Sequence, residues 1–101
     1  MNPRGESKLS IHLEKETIES WIFEVIVIDK DGRHRHLVTL DKEYFKELTK
    51  TKILPLILIQ ESIFYLLERE PVSSILKEFN IKEIINYYPK YEEEIIFNLS
   101  Q

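Results

Sequence analysis

The sequence predicts an α+β fold, in which an N-terminal antiparallel β-meander of two or three strands packs against three to five C-terminal helices. Residues 21–29 are rich in β-branched and aromatic side chains, and the pair Asp31-Gly32 that follows favours a hairpin turn. From residue 41 onward, the apolar residues recur at helical spacing instead. Strands followed by helices, without alternation of the two, are typical of the α+β class.

A first strand is expected over residues 9–13, where apolar and polar residues alternate, and a turn is expected around residues 15–16. In the hairpin, Asp31 and Gly32 are expected to be the central residues of a type I′ turn, which needs positive φ at both positions. A turn at these two residues would set the pairing register of the two strands, and in that register the hairpin has one mostly apolar face. The residues of this expected core face are Trp21, Phe23, Val25, Val27, Val38 and Leu40.

Four helices and one short helical turn are predicted in the second half of the chain from their start and stop signals. The signals are N-cap residues, a capping-box spacing and prolines that begin or end a helix. The predicted segments are a helix capped by Asp41, a helix from Pro55 to about Arg69 that Pro71 ends, a turn over residues 73–78, a helix capped by Asn80 and Glu83, and a helix after Pro89.

Length and composition indicate one small domain over residues 9–101, preceded by a loose polar leader over residues 1–8. The leader has no apolar segment like that of a secretory signal, and the most apolar run, residues 53–67, is too short to span a bilayer. Because the chain has no cysteine, disulfides and thiolate chemistry are excluded. A cytoplasmic protein without a membrane partner is expected. The Lys- and Glu-rich, alanine-free composition suits a thermophilic or AT-rich source.

The hairpin offers one candidate metal site. In the predicted register Asp29 lies opposite His34, and His36 follows on the same face, so that two imidazoles and a carboxylate could supply three ligands. The alternative is a hydrogen-bonded pair, Asp29 with His34, at an exposed hairpin tip. Dedicated sites commonly have a fourth ligand and further groups that orient the ligands by hydrogen bonds. The alternative is therefore preferred, and neither a metal nor a cofactor is predicted.

The region from residue 30 to residue 52 is mildly basic and is a candidate nucleic-acid surface. Its cations could contact phosphates, and the candidates are Arg33, Arg35, Lys42 and Lys46. Four acidic residues are interleaved with these bases, however, and the net charge of the whole chain is −4. Weak nucleic-acid binding is therefore the alternative function rather than the first.

Catalysis has little support, and no catalytic residue is predicted. The only two glycines, Gly5 and Gly32, cannot build a P-loop or a dinucleotide-binding fingerprint. Ser73 and Ser74 have no histidine near them in the sequence, and the run Glu92–Glu94 is of the kind that faces water. The chain is therefore expected to be non-enzymatic.

Association with another protein or with itself is the leading hypothesis. Both faces of the hairpin are substantially apolar, and the helix predicted over residues 55–69 is apolar nearly all round. Apolar surface that one core cannot cover marks interfaces. The candidate interface residues are Ile22, Ile26, Ile28, Leu37, Ile57 and Phe64.

The last third of the chain contains three short motifs: LLEREP at Leu66–Pro71, SIL at Ser74–Leu76, and YPKYEEE at Tyr88–Glu94. In these motifs it resembles a family of small uncharacterised prokaryotic proteins of about this length. The resemblance implies a shared fold, a hairpin followed by helices. It implies no activity and no site residues.

Overall fold

The computed structural model describes residues 7–101, so most of the predicted leader, residues 1–6, lies outside the described residues. The sheet has four strands, β1 (Lys8–Glu16), β2 (Ser20–Asp29), β3 (Gly32–Asp41) and β4 (Glu78–Asn80), in the spatial order β1-β2-β3-β4. The first three strands form an antiparallel meander, and the fourth is parallel to the third.

Helices make up most of the chain after the meander, and the predicted α+β class is confirmed. The first helix begins after Asp41 and the second at Pro55, as predicted. The helices are α1 (Lys42–Thr49), α2 (Pro55–Leu67) and α3 (Tyr91–Leu99), and two 3₁₀ helices span Val72–Ser74 and Ile81–Asn86.

The β2–β3 hairpin forms where it was predicted, but its register differs by two residues. Asp29 pairs with Gly32 rather than with His34, so the turn residues are Lys30 and Asp31. Neither turn residue has positive φ, whereas Gly32 has a φ of 125°. The predicted type I′ turn was therefore wrong. A displacement of two residues keeps every side chain on its face, and the predicted core face is confirmed.

This core face packs against the helices and forms the main hydrophobic core. Phe23 is 4% exposed, and Val25, Val27, Val38 and Leu40 are 0% exposed. Each such side chain contributes roughly 1.5–3 kcal/mol to the hydrophobic stabilisation. The buried residues of the same core that come from the helices and 3₁₀ helices are Phe45, Leu58, Ile59, Ile63, Tyr65, Leu66, Val72, Ile81, Ile84, Tyr91 and Ile95.

A β-bulge in β1 changes which residues of that strand face the core. Leu13 pairs with Phe23, but Lys15 already pairs with Ile22, so Glu14 is the extra residue of the bulge. Side chains alternate between the two faces of a strand, so the extra residue reverses the alternation in the remainder of β1.

Beyond the bulge, Glu16 returns to the face of Trp21, its cross-strand partner. There Lys42 Nζ donates to Glu16 Oε2 at 2.6 Å and lies 5.4 Å from the centroid of the Trp21 ring. Because residues 15 and 16 stay paired with β2, the predicted turn at these residues was wrong. The turn falls on residues 17–19 instead.

The segment after α2 differs most from the prediction. A 3₁₀ helix at Val72–Ser74 replaces the helical turn predicted over residues 73–78. Residues 78–80 form β4, because their backbone pairs with the open edge of β3. This strand was not predicted. Asn80 does cap the next element, and its side chain accepts the Lys82 N–H at 3.1 Å, but this element is a 3₁₀ helix rather than an α-helix.

Asp41 lies at the N-cap of α1 as predicted, yet its side chain makes no hydrogen bond to the helix. Its carboxylate accepts from Ser20 Oγ at 2.8 Å and pairs with Lys82 Nζ at 2.8 Å. Asp41 therefore connects the start of β2, the start of α1 and the second 3₁₀ helix. The hydrogen bond from the Lys82 ammonium holds the pKa of Asp41 below its ordinary value.

We expect Asp41→Asn to lower the free energy of unfolding at neutral pH by about 0.5–1 kcal/mol, because it removes the ion pair with Lys82. The lowered folded-state pKa means that this stabilisation is present above the unfolded-state pKa of about 4 and is lost as the pH falls through the folded-state value. Urea unfolding at neutral and acidic pH measures both effects. Asp31→Asn at the exposed hairpin turn is the control, and a deficit for Asp41→Asn that stays constant with pH would contradict the assignment.

One pair of hydroxyl groups lies inside the core, between α2 and α3. Ser62 and Tyr91 are both 0% exposed, and their oxygens are 2.6 Å apart. The Tyr91 ring also packs edge-on against Tyr65, with 5.3 Å between the ring centroids. Burial raises the pKa of the Tyr91 hydroxyl, so this group stays protonated.

We expect Ser62→Ala and Tyr91→Phe each to cost about 1–3 kcal/mol of stability, because each leaves a buried hydroxyl without its partner. The double variant should cost less than the sum of the two, since no unpaired hydroxyl remains. Chemical unfolding of the wild type and the three variants measures this coupling. Additive costs would mean that the two hydroxyl groups do not depend on each other.

Candidate functional site

A cleft of about 140 Å³ lies between the end of α2, β4 and the second 3₁₀ helix, and we call it the C-terminal cleft. Its floor is apolar and belongs to the core: Leu66 is 6%, Ile75 is 7% and Ile84 is 3% exposed. Phe79 of β4 forms part of the wall. The cleft is therefore an opening into the hydrophobic core.

Two large apolar side chains stand at the mouth of the C-terminal cleft. Leu76 is 52% exposed and Tyr87 is 67% exposed, although both line a cleft with a buried apolar floor. Large side chains left in water beside an apolar opening are typical of binding surfaces.

The polar lining of the cleft is acidic. Glu70 and Glu83 line it together with Ser74, and among residues 7–101 no lysine or arginine does so. Glu70 accepts a hydrogen bond from the Tyr88 hydroxyl, which raises the pKa of Tyr88 and fixes its ring at the wall of the cleft. That ring also meets Tyr65 edge-on, with 5.9 Å between centroids. Glu70 is therefore held in place by packed aromatic side chains.

The backbone at the mouth of the cleft is anchored by His36 of β3. This residue is 3% exposed, and its Nδ1 lies 2.8 Å from the Leu76 carbonyl oxygen. A carbonyl can only accept, so Nδ1 carries the proton, and Nε2 has no hydrogen-bond partner among the described residues. The adjacent Leu37 N–H donates to Lys77 O at 2.8 Å. These two bonds fix the backbone that carries Leu76.

The candidate metal ligands Asp29, His34 and His36 are only partly brought together. Asp29 Oδ1 and His34 Nε2 are 3.2 Å apart at the hairpin tip, where Asp29 also accepts the Asp31 N–H at 2.9 Å. His36 is instead bonded to Leu76. Over residues 7–101, the ligand atoms of the trio do not gather within 4.8 Å of one another.

The candidate phosphate-binding residues are spread over different surfaces. Arg35 Nε pairs with Glu24 at 2.5 Å, and Lys42 pairs with Glu16. Arg33 lies at the start of β3 and Lys46 lies beyond its end. The two cations therefore lie on different elements, Arg33 on β3 and Lys46 on α1. They do not form one basic surface.

The candidate interface residues fall on two sides of the sheet. Four of them are on β2 and β3, on the face opposite the main core: Ile22, Ile26, Ile28 and Leu37. Ile26 is 4% exposed and Ile28 is 44% exposed. Ile57 and Phe64 are half-buried on α2, on the other side. The six residues therefore do not form a single interface.

Sequence reasoning missed the C-terminal cleft, because its walls come from four segments that only the fold brings together. One signal was available. Leu76 and Tyr87 are large apolar residues that belong to no predicted core face.

The part of the chain that the structure describes has no helix with the length and apolar character to cross a membrane. No family model, curated protein or solved structure matches this chain. Its function is therefore inferred from its own side chains.

We expect His36→Ala to destabilise the protein by about 2–4 kcal/mol, because it removes a buried ring and the anchor of Leu76. Hydrogen exchange at the Leu37 amide should become faster, since this amide bonds to the same segment. His34→Ala is the matched control, because His34 lies at the hairpin tip with a side chain that is 25% exposed. Equal effects of the two substitutions would contradict the anchoring role.

Proposed function

We propose that the protein is a non-enzymatic interaction domain, and that its C-terminal cleft binds a segment of another protein. The segment would insert one large apolar side chain beside a lysine or arginine. The observation that carries this proposal is an apolar opening into the core, with exposed Leu76 and Tyr87 at its mouth and acidic Glu70 and Glu83 in its lining.

The size of the cleft supports a single side chain as the inserted group. An apolar cavity of about 150 Å³ is large enough to hold benzene, and the C-terminal cleft has about 140 Å³. A leucine, methionine or phenylalanine side chain is of this size. Burial of such a group contributes roughly 1.5–3 kcal/mol to binding.

The charge near the cleft supports a basic neighbour for the inserted residue. Residues 61–94 contain eight glutamates against four lysines and arginines. Two of these glutamates line the cleft, where no basic residue of the described part of the chain accompanies them. A lysine or arginine in the partner would compensate these carboxylates and increase the rate of association.

The alternative, nucleic-acid binding through residues 30–52, has less support. Arg35 and Lys42 are already paired with glutamates, and Arg33 and Lys46 lie on different elements, β3 and α1. Phosphate binding would need these cations on one continuous surface.

The test is selection of a phage-displayed library of random peptides on the full chain. We expect enrichment of peptides in which a large apolar residue is next to lysine or arginine. In calorimetric titrations with one selected peptide, Leu76→Ser and Tyr87→Ser should each weaken binding about tenfold, because each removes apolar contact area at the mouth. Both residues are exposed, so these substitutions should leave the stability nearly unchanged.

Phe97→Ser is the matched control, since Phe97 is 65% exposed on α3 and does not line the cleft. It should leave peptide affinity unchanged. The proposal fails if no motif is enriched, or if the selected peptides bind the Leu76→Ser variant as tightly as the wild type. Self-association of the free protein that Leu76→Ser abolishes would identify a second copy, instead of another protein, as the occupant.

A further inference from the structure

A second cluster of side chains lies on the face of the sheet that points away from the main core, and it is remote in sequence from the C-terminal cleft. It consists of His12 and Glu14 on β1 and Glu24 on β2. From the geometry of these three side chains, we infer a binding site for a divalent transition-metal ion of the zinc type.

The distances within the cluster fit a tetrahedral metal ion. His12 Nε2 lies 3.3 Å from Glu14 Oε2 and 3.4 Å from Glu24 Oε1. Zinc bonds to imidazole nitrogen and carboxylate oxygen are about 2.0–2.1 Å long, so two ligand atoms in a tetrahedral site are about 3.3–3.4 Å apart. All three ligand atoms lie within 4.8 Å of one another. An ion can therefore enter with small side-chain rotations.

Strand pairing places the three ligands without any loop. His12 and Glu24 are direct cross-strand partners in the β1–β2 ladder. Glu14 follows His12 by two residues and is the extra residue of the β1 bulge, which leaves it without a partner in the ladder. Bulges of this kind commonly redirect a side chain near a functional site.

Arg35 orients the third ligand from outside the cluster. Its Nε binds Glu24 Oε2 at 2.5 Å, which leaves Oε1 toward His12. Hydrogen bonds of this kind to a ligating carboxylate are usual in metal sites. The same guanidinium holds the pKa of Glu24 below its ordinary value, so the carboxylate is ionised at neutral pH.

The ligand chemistry selects the class of metal. One imidazole and two carboxylates suit zinc, cobalt or nickel, whereas calcium and magnesium prefer sites built from oxygen alone. The side chains of His12 and Glu14 are 55% and 43% exposed, so the remaining coordination positions are open to water. The rival account is a network of surface ion pairs that binds no metal.

The experiment is calorimetric titration of the full chain with zinc chloride at pH 7.5, with cobalt absorption spectra as a second readout of the ligand set. We expect one zinc ion per chain. His12→Ala and Glu14→Gln should each weaken zinc binding at least tenfold, and magnesium chloride should give much weaker binding. Both residues are exposed, so circular dichroism should find both variants folded.

His34→Ala is the matched control, because His34 also pairs with a carboxylate, that of Asp29, but lies outside the cluster. It should bind zinc as the wild type does. The inference is overturned if the wild type binds no zinc, if His12→Ala and Glu14→Gln bind as tightly as the wild type, or if His34→Ala is the variant that loses binding. None of these outcomes depends on whether the C-terminal cleft binds a peptide.

Discussion

The antiparallel pairing of β2 with β3 is the constraint on which the rest of the structure depends. Because side chains alternate along each strand, this pairing separates the hairpin into two faces of different character. One face carries Phe23, Val25 and Leu40 into the core beneath the helices. The other carries Glu24 and Arg35, with Ile26 buried between charged neighbours. The C-terminal cleft and the cluster of His12, Glu14 and Glu24 lie on different sides of this division.

The features that could be predicted from the sequence are those that depend on local residue pattern and on the alternation of side chains along a strand. The three strands of the meander, the start of α1 and the core face follow from spacing, and an error of two residues in register leaves the faces unchanged. The register itself depends on which residue takes positive φ. In this turn only Gly32 takes positive φ. Asp29 stabilises the turn by accepting a hydrogen bond from the Asp31 N–H. The residue types alone do not determine which of the two possible turns, Asp31-Gly32 or Lys30-Asp31, has the lower free energy.

The functional candidates were less predictable because they depend on contacts between distant segments. β4 has only three residues and exists because the edge of β3 accepts it, so no local signal marks it. His36 carried a metal hypothesis in the sequence, whereas its ring nitrogen bonds to a carbonyl forty residues away. The cluster around His12 requires the β1–β2 register and the position of a bulge. Each of these features follows from tertiary packing rather than from propensity.

The bulge in β1 has a further consequence for the behaviour of the molecule in concentrated solution. β1 is an edge of the sheet, and an edge strand offers unpaired backbone groups to which another molecule can add a strand. The bulge interrupts the regular spacing of these groups at Glu14, and Lys8 and Lys15 place charge along the same edge. Both features oppose strand addition. Natural proteins commonly use such features to keep an exposed sheet edge from growing into fibrillar aggregates.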